Sequence, residues 1–221
     1  MEILRVFPSE GGGEVNCKTD DGVFGMTKAD FRRFCAAYCD TDADTLLNCD
    51  DDAARLYFPI ALSDEGGEEL LYQNEKLRAL RYALYLLGIS DKSTKTLLFK
   101  LKQKGFSERA ADDAAAVLMQ NRRLSDEAFC RRQCELLVTG RHYGPSRVVR
   151  ELAAKGISSA LCRRVLDEGN FDFDGELRLL CEKKLRFPLA DRDEYRKAVA
   201  KLMRYGYGYE EIRDALREYE P

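Results

Sequence analysis

Three short runs decide how this 221-residue chain is read: Leu101-Lys102-Gln103-Lys104-Gly105-Phe106-Ser107, Leu152-Ala153-Ala154-Lys155-Gly156-Ile157-Ser158 and Leu202-Met203-Arg204-Tyr205-Gly206-Tyr207-Gly208. Each is a leucine, three further residues, a glycine, an apolar residue and a small one, and the glycines stand 51 and 50 residues apart. Glycine suits the left-handed position just past a helix end, where a Cβ clashes. The apolar residue that follows (Phe106, Ile157 or Tyr207) can fold back onto the finished helix. Ser107 and Ser158 then suit the N-cap of the next helix, accepting from orphan backbone N–H groups, and Gly208 is the poorer cap of the third unit. Each run therefore reads as helix stop, tight turn, helix start. A unit of about fifty residues repeated three times is the mark of a helical array.

The flanks agree. Before the glycines, Leu97/Leu98/Leu101, Val148/Val149/Leu152 and Ala198/Val199/Leu202 fall at matching offsets, and after them Ala114/Ala115, Val165/Leu166 and Ala215/Leu216 do the same. Such spacing makes apolar stripes on helices. A further helix precedes each pair, carrying Leu77/Leu80/Leu84/Leu87, then Phe129 to Val138, then Leu177 to Leu185. The expected architecture is mainly α: three tandem three-helix repeats in an elongated curved array, over residues 73–124, 125–170 and 171–221, behind a small N-terminal β-hairpin and helix domain over 1–72.

That front region has its own punctuation. Ile3 to Phe7 and Val15 to Cys17 alternate weakly around Gly11-Gly12-Gly13, and Asp21-Gly22 is a hairpin-type turn before Val23-Phe24. Thr27 followed by Asp30 resembles a capping box leading into Phe31/Phe34/Cys35/Tyr38. Residues 40–69 are acidic and interrupted, and Asp50-Asp51-Asp52 and Gly66-Gly67 are expected in solvated loops. The ordered ligand spacing of a calcium-binding EF-hand is missing there.

The net charge of −3 hides a split: residues 1–72 hold 6 basic against 16 acidic side chains, and residues 73–221 hold 30 against 23. An acidic front on a basic body is a pattern of interaction proteins, although simple solubility also accounts for it. No stretch approaches the roughly 20 apolar residues of a membrane span. The start, Met1-Glu2-Ile3-Leu4-Arg5-Val6, lacks the apolar core of a signal peptide, so a cytoplasmic product is expected. The 8 cysteines include the i,i+4 pairs Cys35/Cys39 and Cys130/Cys134. Zinc sites usually take four ligands from CxxC or Cys/His knuckles. With no CxxC and His142 the single histidine, free buried thiols are favoured over a metal site.

Tyr143-Gly144-Pro145-Ser146-Arg147-Val148-Val149-Arg150-Glu151-Leu152, followed by Lys155-Gly156-Ile157-Ser158, is very similar to the central signature of the RecX regulatory family. Tyr82-Ala83-Leu84 with Lys104-Gly105-Phe106-Ser107 resembles that family's first repeat, and Leu124-Ser125-Asp126-Glu127-Ala128-Phe129 its link into the second. The resemblance covers approximately residues 75–218, and the hairpin and helix before it also resemble the family's N-terminal extension. It implies a non-enzymatic modulator of the RecA recombinase that lodges in the filament groove and lowers strand-exchange, ATPase and coprotease activities. Such a role lies in homologous recombination, DNA repair and the SOS response. The expected partner is the RecA filament, with single- or double-stranded DNA within or beside it as a further contact, for a protein that is itself monomeric.

For binding of this kind the candidate contacts are Arg141, His142, Tyr143, Arg147 and Arg150, with Arg131, Arg132, Arg163 and Arg164 as further basic positions. Arg147 and Arg150 are i,i+3 neighbours on one helix, and the planar guanidinium suits carboxylates and phosphates. The plain alternative is a solvated basic face whose stems lie along apolar surface. His142 has no nucleophile signature around it, and no phosphate-binding GxxxxGK[ST] occurs. Catalytic, cofactor-binding and metal-ligating residues are therefore not expected. Tyr205, Tyr207 and Tyr209 can stack on bases, but core packing suits them better. The competing function is a DNA-binding protein of helix-turn-helix type, acting directly on nucleic acid.

Overall fold

The computed structural model describes residues 1–185 and 191–217. Residues 186–190 and 218–221 of the third expected repeat lie outside the described residues. The chain is mainly helical, with twelve α-helices and a small N-terminal antiparallel sheet among the described residues. It divides into two compact units, residues 1–90 with 97–121, and residues 91–96 with 122–221.

In the first unit, strands β1 (Glu2–Pro8), β2 (Glu14–Thr19), β3 (Val23–Thr27) and β4 (Ile60–Ala61) form a sheet of order β3-β2-β1-β4. The Asp21-Gly22 turn closes with Thr19 N–H donating to the Gly22 carbonyl at 2.7 Å. Ile3, Val6, Val15, Cys17 and Met26 point into a core shared with Phe31, Phe34 and Cys35 of α1 (Lys28–Tyr38). Thr27 caps that helix, its Oγ accepting from Asp30 N–H at 3.1 Å. The Asp30 carboxylate takes the Thr27 hydroxyl at 2.8 Å, so the box closes through the side chain. Asp30 is buried, and burial raises its pKa. Hydrogen bonds from Thr27, Arg33 and Lys76 outweigh that and hold the carboxyl below the usual aspartate range.

Residues 40–69 are more ordered than their composition predicts. Asp42 caps α2 (Ala43–Asn48) and Asp50 caps α3 (Asp51–Tyr57), each carboxylate accepting from a backbone N–H in the first turn. Gly66 and Gly67, expected in a loop, lie in α4 (Asp64–Ile89), which Ser63 caps. A Cβ on Gly66 would stand 3.3 Å from the Tyr38 ring, so this glycine allows close packing against α1 rather than a bend. Helix α4 carries Leu77 onto the sheet beside Gly25, whose N–H donates to Asn74 Oδ1 at 3.0 Å. Its other contacts run through Ala79 to Ala110 and Ala114 of α6. The leucine stripe expected to face inward is shared differently: Leu77 is buried, but Leu84 is 38% exposed and Ala79, Ala83 and Leu86 do the packing.

The helices then follow in trios. After α4 come α5 (Thr94–Gln103) and α6 (Glu108–Gln120). The second trio is α7 (Asp126–Glu135), α8 (Pro145–Ala154) and α9 (Ser159–Glu168); the third is α10 (Phe173–Lys184), α11 (Arg192–Arg204) and α12 (Tyr209–Leu216). All three diagnostic glycines adopt a positive φ, 98° at Gly105, 87° at Gly156 and 95° at Gly206. Phe106 N–H returns to the Leu101 carbonyl at 3.3 Å and Ile157 N–H to Leu152 at 3.0 Å, which ends each helix as a Schellman turn does. Ser107 and Ser158 cap α6 and α9. Gly208, lacking a side chain, donates its N–H to Glu211 Oε2 at 2.7 Å instead.

Within the second unit a junction recurs. The start of one middle helix docks on the end of the next, satisfying carbonyls that a helix C-terminus leaves open. Ser93, just before α5, donates its hydroxyl to the Lys155 carbonyl at the end of α8. One repeat on, Gly144 N–H donates to the Tyr205 carbonyl at 2.9 Å and Ser146 N–H to Gly206 at 3.3 Å.

Candidate partner-binding site

All nine expected contact residues fall in the second unit, on α7, α8, α9 and the segment that joins α7 to α8. That segment begins with a π turn, Leu136–Gly140, in which Leu137 and Val138 remain buried. It then reverses: Val138 and Leu137 accept from the N–H groups of His142 (2.9 Å) and Tyr143 (3.0 Å). His142 takes φ 55°, a left-handed conformation uncommon outside glycine, though histidine adopts it more readily than most side chains. Its Nδ1 meets a Glu176 carboxylate oxygen and its Nε2 lies 2.9 Å from Lys183 Nζ, both on α10. Lys183 is a donor only, so Nε2 accepts and Nδ1 carries the proton given to Glu176. His142 therefore ties the second repeat to the third.

Arg147 does the same. Its guanidinium lies 3.9 Å from the centre of the Tyr143 ring and 5.5 Å from that of Tyr205. Its Nη1 donates to the Arg204 carbonyl at 3.0 Å and its Nε to Glu151 Oε1 at 3.4 Å. The Tyr143 and Tyr205 rings meet edge to face at 5.8 Å. Only 24% of the Arg147 side chain is exposed. The i,i+3 spacing that suggested one shared face with Arg150 thus joins a half-buried clamp to an exposed cation. Tyr207 is buried at its turn, as core packing requires, whereas Tyr209 is exposed.

The other arginines divide by their partners. Arg131 bridges Glu127 (2.9 Å) and Glu168 (2.5 Å), and Arg164 reaches the second oxygen of Glu127 at 3.1 Å, which laces α7 to α9. Hydrogen bonding from Arg131, with Arg164 nearby, holds the Glu127 carboxyl below its usual range. Arg132 pairs with Asp91 at 2.5 Å. Arg141, Arg150 and Arg163 are exposed and make no ion pair among the described residues. Arg163 also borders a shallow cavity of about 550 Å³ between α8 and α9, walled by Pro145, Val149, Leu166 and Phe173. The structure therefore leaves three of the expected cations available and commits four arginines to contacts within the unit.

One grouping escaped sequence reading. Cys130 and Cys134 of α7 are joined in the core by Cys162 of α9, all three fully buried. The i,i+4 spacing flagged the first pair, but no pattern in the chain announces a thiol 28 residues downstream.

Fold and site together define a helical-repeat protein that displays basic side chains on a frame of short helices. No protein-family model matches the chain. It is 29% identical over 141 residues to the regulatory protein RecX of Pelodictyon phaeoclathratiforme, covering 63% of this chain and 87% of that one. It is 30% identical over 141 residues to the regulatory protein RecX of Treponema pallidum (strain Nichols), covering 63% and 76%. A crystal structure of a regulatory protein RecX superposes with a TM-score of 0.71 at 15% identity, covering 98% of both chains. The chain belongs to the RecX family of regulatory proteins. No helix among the described residues is long and apolar enough to cross a membrane.

Proposed function

We propose that this protein binds the RecA recombinase filament and lowers its strand-exchange, ATPase and coprotease activities, acting by contact and without chemistry of its own. In this reading it is a cytoplasmic monomer serving homologous recombination and the SOS response, and DNA within or beside the filament is a secondary contact. The domains are a front of residues 1–72 and repeats over 73–124, 125–170 and 171–221. Family membership supports the regulatory role, and one observation carries the choice of surface: Arg141, Arg150 and Arg163 stand exposed on the second repeat without an ion pair among the described residues, while Arg147 reaches the third repeat and Arg131 laces α7 to α9. Free guanidinium groups match carboxylate or phosphate partners, and contacts spread along an array supply affinity without a pocket.

The test is ATP hydrolysis by RecA assembled on single-stranded DNA, with the purified protein in excess at low salt. Hydrolysis should slow, and R150E/R163E should weaken the inhibition about tenfold with the fold intact. Unslowed hydrolysis would remove the reading. Inhibition that survives the double change would move the contact surface elsewhere. Tight binding to free DNA that falls steeply with salt, with no effect on RecA, would favour a stand-alone DNA-binding protein.

A further inference from the structure

We propose that Cys130, Cys134 and Cys162 form a three-sulfur site for a soft, thiophilic cation of the Cu(I), Cd(II) or Hg(II) class, a function separate from partner binding. Their sulfurs lie within 4.8 Å of one another, and Cys130 Sγ and Cys134 Sγ are 3.9 Å apart. A metal–sulfur bond of about 2.3 Å in a trigonal plane separates the sulfurs by about 4.0 Å, which matches the Cys130–Cys134 separation and lies within the 4.8 Å that bounds the other two. Two helices supply the donors: α7 presents Cys130 and Cys134 one turn apart, and α9 presents Cys162 opposite them. The other buried cysteines form no such trio among the described residues.

The donor set selects the class of ion. Thiolates favour soft cations, and hard ones such as Mg(II) or Ca(II) are excluded by the lack of oxygen ligands. Among the described residues no histidine, carboxylate or fourth thiol joins the group. Structural zinc almost always takes four ligands. The walls are apolar, with Phe129, Val138, Val148 and Val165 in the same core, so water is poorly placed to complete a tetrahedron. A soft cation content with three sulfurs fits what remains.

The protons balance in a simple way. Three thiols become three thiolates on the metal and three protons leave for solvent, so loading strengthens as pH rises. Loading would tie α7 to α9 through the core, parallel to the Arg131 and Arg164 bridges at the surface.

Reduced full-length protein, titrated with Cd(II) without oxygen, tests the site by its thiolate-to-metal charge-transfer absorbance. A break at one equivalent is expected, with the thermal midpoint rising roughly 5–10 °C at a hundredfold excess over Kd. C162A should abolish the band and C35A should keep it. No band in the wild-type protein, or an undiminished band in C162A, overturns the site. Should C162A lose its far-UV helical signal, X-ray absorption on the wild-type complex decides instead. Three sulfur neighbours sustain the site, whereas two with nitrogen or oxygen, or four, overturn it.

Discussion

The first and third repeat turns share one sequence pattern and nearly one backbone conformation, yet their glycines answer different demands. At Gly105 the φ of 98° is the whole requirement, because a Cβ there would meet nothing within 4 Å. At Gly206 the φ is 95°, but a Cβ would also stand 2.4 Å from Arg147 Cβ and 2.5 Å from Arg147 N. Gly144 mirrors this from the other side, with Gly206 O at 2.5 Å from its own notional Cβ. The second turn belongs with the third, since Gly156 faces Lys95 Cβ at 2.5 Å. The difference follows from position in an array: a middle helix docks its start on the end of the next one, so the first such end receives no helix start. A repeated motif therefore reports a repeated local conformation without reporting whether anything is packed against it.

That comparison can be broken by substitution. The largest loss is expected for Gly206→Ala, which adds a left-handed alanine to a backbone collision, together about 3 kcal/mol. Gly144→Ala suffers the collision alone, its φ of −72° being ordinary, and should cost about 2 kcal/mol. Gly105→Ala should cost about 1 kcal/mol, the conformational part by itself. Chemical denaturation read by far-UV circular dichroism orders the three, and equal losses at Gly105 and Gly206 would show that the junction adds nothing.

A smaller and more local effect sharpens the contrast between the two units. Asp30 is a buried anion of the first unit with a depressed pKa, so its stabilisation is full above the ordinary aspartate pKa of about 3.9 and fades as pH falls through the lower folded value. Acid should therefore loosen the first unit, and Asp30→Asn should flatten that dependence. A pH profile identical to that of the wild type would show the cluster with Lys76 and Arg33 to be inert.

The acidic segment shows where sequence reading fell short. Aspartates crowded into residues 40–69 looked like solvated loop because their number outweighs the apolar residues between them. Asp42 and Asp50 instead open short helices, and a cap is a single carboxylate whose meaning depends on whether the next turn is helical. Gly66 looks like a breaker until Tyr38 is known to lie against it. In the candidate site, residue type and position in the chain were legible, but availability was not. Arg147 and Arg150 read alike, and only the packed neighbour separates them, since Tyr143, Tyr205 and the Arg204 carbonyl gather around the first.

What the chain's residues settle by themselves are the stops and starts of its repeats. Gly105, Gly156 and Gly206 take a φ that other residues resist, and Ser107 and Ser158 offer an oxygen within reach of the following turn. Those effects act over four or five residues and need no distant partner. Tertiary packing alone decided which cations stay free, which glycines are crowded, and that Cys162 meets Cys130 and Cys134. Each depends on groups 28 or more residues apart approaching within a few ångströms, and that approach is set by how whole helices pack rather than by any local preference.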